Sequence, residues 1–135
     1  DMSVHSRRAL VVAAELVPAG EFQLVHATHA PFRGFLGRDT IEELVRSEQK
    51  AFGLMIEKEI KDLAERFGPA APHCETVVEE GMVREILRRQ IVEFKPDLVA
   101  IGTHGRTGIA NMRLGSVAED LLADAPVDVL AVKAW

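Results

Sequence analysis

Two hydrophobic periods alternate along the chain. Ser6 to Val17 is rich in helix formers, with Leu10, Val11, Ala14 and Val17 as its apolar face, and Pro18 with Ala19-Gly20 gives a stop signal. The short apolar run in EFQLVHATHA predicts a buried strand over Phe22–Thr28. Pro31 to Gly37 holds a proline and two glycines and reads as a loop. Asp39 opens the longest helix, with capping-box spacing in either Asp39–Glu42 or Thr40–Glu43. Ile41, Val45, Phe52, Ile56, Ile60, Leu63 and Phe67 repeat every three or four residues, interrupted at Glu48-Gln49. That stripe faces a sheet. The other face carries Glu42–Arg46, Glu57–Lys61 and Asp62–Arg66 at i,i+4. Each such pair is worth roughly 0.2–0.5 kcal/mol, and the run reads as a solvated face. Gly68-Pro69 ends the helix.

A second strand is predicted over Cys74–Val78. Gly81 then precedes a helix with Met82, Val83, Ile86, Leu87, Ile91 and Phe94 on its apolar face, stopped by Lys95-Pro96. Leu98–Ile101 is an uninterrupted apolar strand. A glycine-bearing loop follows, then a helix from Ser116 to about Ala123 and a closing strand over Val127–Val132. The order is α-β-α-β-α-β-α-β. Strands separated by helices predict a parallel sheet covered on both faces.

Composition narrows the class. At 135 residues, one domain is expected, and 47% hydrophobic with 27% charged residues argues against disorder. Sixteen Lys and Arg against 21 Asp and Glu give −5, with no basic block to grip a nucleic acid. One cysteine, Cys74, cannot build an internal disulfide or a cysteine-based zinc site. No apolar run approaches the ~18 residues of a membrane span, and DMSVHSRR lacks the apolar core of a signal peptide. A soluble, cytoplasmic protein is the expectation.

The candidate chemistry lies in the loop after Ile101. Gly102 and Gly105 permit a sharp turn and close backbone approach, and Gly115-Ser116 opens the next helix, with Ser116 and Glu119 in capping-box spacing. A loop at the carboxyl end of a parallel strand is where open α/β sheets bind ligands, and a helix start suits phosphate. Arg106 and Arg113 give the loop a local charge of +2. Glycine-rich loops are common, and these glycines have turning alone as an alternative reading. The spacing is neither a Walker A loop nor a dinucleotide fingerprint.

Gly102, Gly105, Gly115 and Ser116 spell G-x2-G-x9-G-S, which resembles the ATP-binding signature of the universal stress protein family. Asp1-Met2-Ser3-Val4-His5-Ser6 resembles that family's turn after its first strand. Leu24–Ala27 resembles its second strand, Asp97–Arg106 is similar to its most recognisable stretch, and Pro126–Val132 resembles its last strand. The resemblance implies an open parallel five-stranded sheet in the order 3-2-1-4-5, ATP with Mg2+ or Mn2+, and a homodimer through Val127–Val132. It also implies a central strand ending at Asp1. An apolar, β-branched-rich strand of ~5–10 residues is therefore expected ahead of Asp1, parallel between Phe22–Thr28 and Leu98–Ile101.

The resemblance further implies residue roles. Asp1 accepts from the adenine amino group, or else caps the first helix. Ala27 lines the adenine slot. Ile101 leads into the loop; Gly102, Gly105, Gly115, Ser116 and Val117 supply backbone contacts to ribose and phosphates, with the Ser116 hydroxyl on a phosphate or serving only as a helix cap. His104 touches phosphate or ribose. Arg106 and Arg113 neutralise phosphates or are solvated. His26 reads as a packed strand-end histidine. Three functions compete: an ATP-binding stress or signalling module acting as a dimeric switch, a slow ATPase, and a dimeric scaffold that uses no nucleotide. The loop carries no Asp or Glu between Gly102 and Ser116 to activate water, which favours the first.

Overall fold

The computed structural model describes residues 3–29, 34–104 and 115–134. Its elements are α1 (Val4–Leu16), β1 (Glu21–Thr28), α2 (Arg38–Phe67), β2 (His73–Glu80), α3 (Val83–Phe94), β3 (Leu98–Gly102), α4 (Ser116–Asp124) and β4 (Asp128–Val132). The alternation is the one the two hydrophobic periods predict. A single 3-10 turn, Gly68–Ala70, follows α2, where Gly68 takes φ +54. α3 ends on Lys95 in the left-handed region at φ 51, just before Pro96.

Both strand pairs are parallel. β1 lies beside β2, from Glu21 opposite His73 to Thr28 opposite Glu80, and β3 lies beside β4, from Leu98 opposite Asp128 to Gly102 opposite Val132. Among the described residues these are two separate two-stranded sheets, and β1 does not bond to β3.

Strand alternation assigns the helices to faces. His26 of β1 stacks on Phe52 of α2, with ring centroids 4.0 Å apart. One residue on, Ala27 is in register with Glu79, whose carboxylate accepts from Gln90 and Arg89 of α3. Successive strand residues point to opposite faces, so α2 and α3 cover opposite faces. α1 joins α2 through Arg7–Glu59 and Arg66–Glu15, and α4 joins α3 through Arg84–Asp120.

Local details depart from the sequence reading. α2 is capped by Gly37 without a side-chain bond, so neither Asp39–Glu42 nor Thr40–Glu43 forms a capping box. Arg66 reaches Glu15 at 2.6 Å rather than Asp62, because a bond between helices was available to its long side chain. Lys61 stands 3.9 Å from Glu65 instead of pairing with Glu57. The α2 stripe itself is as expected, with Phe52, Ile56 and Leu63 buried. Its polar interruption has a cause: Glu48 lies 3.7 Å from the buried His26 ring. α1 begins two residues earlier than expected, and it buries Ala9, Ala13 and Ala14 while Val17 is exposed. Small side chains let this helix approach the sheet closely.

Candidate functional site

The site is assembled at the carboxyl end of β3. Gly102, the last residue of that strand, has no room for a side chain. A Cβ there would lie 2.7 Å from the carbonyl carbon of His5 and 2.8 Å from the Ser6 nitrogen. The first turn of α1 thus rests directly on the strand end. Ser3 caps that turn, its hydroxyl accepting from the Ser6 N–H at 3.2 Å. Glycine at 102 therefore answers to packing, whatever else it does.

From Gly102 the chain bends away. Thr103 donates its N–H to the Val132 carbonyl at 2.9 Å, and its own carbonyl accepts from the Gly115 N–H at 2.8 Å. That second bond fastens the start of α4 to the end of β3. Gly115 is the N-cap of α4, at φ −63 and ψ 151, with no side-chain cap bond. Ser116 is therefore the first helical residue and not the cap, so the expected Ser116–Glu119 capping box does not form. The intrahelical bonds begin with Glu119 N–H to the Gly115 carbonyl. The N–H groups of Ser116, Val117 and Ala118 precede them and have no acceptor inside the helix. Ser116 is exposed, Val117 is half-buried, and Glu119 is exposed rather than held in a cap.

Two imidazoles meet beside this junction. The His104 ring lies 4.9 Å from that of His5, tilted by 46°, and its Nδ1 is 3.0 Å from the Thr103 hydroxyl. His5 Nδ1 accepts the Ala134 N–H at 3.0 Å. An accepting Nδ1 places the proton of a neutral ring on Nε2. His5 links α1, the end of β3 and the segment after β4. Sequence reading placed His5 only within the opening motif, and the signal for its role was the glycine at 102, which marks where a backbone must pass.

Ile101, Gly102, His104, Gly115, Ser116 and Val117 are thus gathered around one strand end. Ala27 is next to last in β1, half-buried beside Glu79. Asp1, Gly105, Arg106 and Arg113 lie outside the described residues. His26 is buried against Phe52, the packed histidine that its position suggested. Among the described residues, no three His, Cys, Asp or Glu side chains gather as a metal site, and no helix is long and apolar enough to cross a membrane.

These features define an α/β protein with parallel strands, helices on both faces and a candidate site at a strand's carboxyl end. The family model for the universal stress protein family matches residues 1–133, and the chain belongs to that family. It is 30% identical to universal stress protein MJ0531 of Methanocaldococcus jannaschii, over 98% of this chain and 76% of that protein. Among solved structures, it is similar to universal stress protein UspA from Lactobacillus plantarum, with TM-score 0.84 and 15% identity, over 98% of this chain and 92% of that one. It is also similar to hypothetical protein MJ0577, with TM-score 0.83 and 23% identity, over 100% of this chain and 92% of that one. At these identities the solved structures speak for the fold.

Proposed function

We propose that the protein is an ATP-binding stress-response or signalling module, working as a nucleotide-dependent switch in a homodimer. One observation carries the reading. Two helix starts, those of α1 and α4, converge on the end of β3, held by the close approach at Gly102 and by the Gly115–Thr103 bond. Helix starts carry partial positive charge and unpaired N–H groups, which suit phosphate. The N–H groups of Ser116 and Val117 and the Ser116 hydroxyl take the phosphates in this reading. Gly105, Arg106 and Arg113 complete the cradle, His104 flanks ribose or phosphate, and Asp1 and Ala27 hold adenine. ATP arrives with Mg2+ or Mn2+ on its own phosphate oxygens.

The same reading unites the strand pairs. The pairings β1 with β2 and β3 with β4 agree with the two flanks of a sheet in the order 3-2-1-4-5. β4 is then the outer strand, and an apolar edge of this kind is stable when a second copy covers it.

Isothermal calorimetry tests the site. In Gly115→Val the added methyl groups crowd Thr103 and His104, since a Cβ alone already lies 3.5 Å from the Thr103 carbonyl oxygen. ATP affinity is expected to fall at least tenfold, about 1.4 kcal/mol. Unaltered affinity in a folded variant would count against this location.

A further inference from the structure

The layer formed by α3 and α4 carries a groove of about 380 Å³ whose lining runs from Val117, in the first turn of α4, to Pro126. Leu87 and Ile91 of α3, Leu121 of α4 and Pro126 give it an apolar lining. Val92, on the same groove, is 70% exposed. The charges are sorted by wall: α3 contributes Arg84 and Arg88, and α4 contributes Asp120 and Asp124. Arg84 is paired with Asp120 within the chain. One helical turn further along each helix, Arg88 and Asp124 are exposed, and among the described residues neither enters an ion pair.

We propose that this groove is a two-fold interface with a second copy of the chain, distinct from the β4 edge. A two-fold axis across the groove lays α3 of one copy over α4 of the other in antiparallel sense. Arg88 then meets the partner subunit's Asp124, and Asp124 meets the partner subunit's Arg88. Such an isologous contact requires a surface complementary to itself. A surface with its cations on one helix and its anions on the neighbouring one meets that requirement. An unrelated partner would have to supply both charges at matching positions, whereas a second copy supplies them by symmetry. Val92 and the groove lining provide the apolar contact between the two ion pairs. Together with pairing along β4, this contact would give assemblies larger than a dimer.

The test is sedimentation equilibrium from micromolar to near-millimolar protein. Wild-type chain is expected to associate through this face, and Arg88→Glu or Asp124→Arg alone to weaken that association roughly tenfold or more by like-charge juxtaposition. The double variant R88E/D124R recreates both pairs with reversed polarity, and it is expected to return the association constant to within about threefold of wild type. Circular dichroism verifies that each variant is folded. Single variants that associate like wild type would overturn the proposal, since the copies would then meet only along β4. Failure of the folded double variant to recover, or a wild-type chain that never associates beyond the β4 dimer, would overturn it as well. ATP calorimetry on the same variants reports separately on the nucleotide reading, because neither residue belongs to that site.

Discussion

Gly102 and Gly115 look equivalent in the signature, but their surroundings separate them. A Cβ at 102 collides with the backbone of His5 and Ser6, which cannot shift without moving α1 off the strand. Gly102→Ala is therefore expected to destabilise the fold by about 1–3 kcal/mol in urea denaturation. At 115 the φ is ordinary and a Cβ makes only ordinary contact, so Gly115→Ala should stay within about 1 kcal/mol of wild type. Equal losses would mean that α1 does not rest on Gly102. Cys74 provides a second residue-scale test. Burial pushes its thiol above the usual range. The reactive species is the thiolate, so the native protein should alkylate with iodoacetamide at pH 8 more slowly than the urea-unfolded chain. Raising the pH to 9 should leave the native rate still behind. Mass spectrometry of timed aliquots would show equal rates if Cys74 were freely exposed.

At the scale of elements, α1 is the part on which the site depends. It touches the end of β3 through His5, bonds the segment after β4 through the same ring, and is tied to α2 by two ion pairs. Its N-terminus is ordered by the Ser3 cap, with the Ser6 hydroxyl bonding back to the Ser3 carbonyl at 3.0 Å. Ser3→Ala should cost about 1 kcal/mol of stability. The loss should also weaken ATP binding, because the positive end of α1 faces the candidate site. A stability change with no change in affinity would separate α1 from the nucleotide. α3 is fixed differently, through Gln90, which is buried and donates to Glu79 at 2.9 Å. The hydrophobic period of that helix marked Ile86 and Ile91 as inward but gave no reason to bury a glutamine. The reason is a carboxylate on a strand more than one turn of sequence away.

Across the whole molecule, the candidate site joins parts that are distant in sequence: the start of α1, the end of β3, the start of α4 and the residue after Lys133. A ligand held by all of them stabilises the folded chain and not the unfolded one. At ATP one hundred times above its dissociation constant, the gain is about 2.7 kcal/mol. Thermal denaturation should therefore shift upward with ATP. The shift should largely vanish in Gly115→Val, and an equal shift in that variant would move the site elsewhere. The two strand pairs also set what each helix can do, since α1 and α2 share one face and α3 and α4 the other.

The sequence by itself determined the elements, their order and their parallel sense. Those follow from hydrophobic period, from Gly and Pro punctuation, and from the short-range rule that helices between strands make crossovers. It also offered the strand end after Ile101 as a candidate place for chemistry, through Gly102, Gly115 and Ser116. Only the tertiary structure decided which partners the polar residues take. Arg66 chose Glu15 over Asp62, Glu48 turned toward His26, Gln90 found Glu79, and Gly115 displaced Ser116 as the cap of α4. Hydrophobic pattern is a local property of the chain, repeated over many residues. A hydrogen bond or ion pair depends on a single distance between two groups, and that distance exists only after the layers have packed.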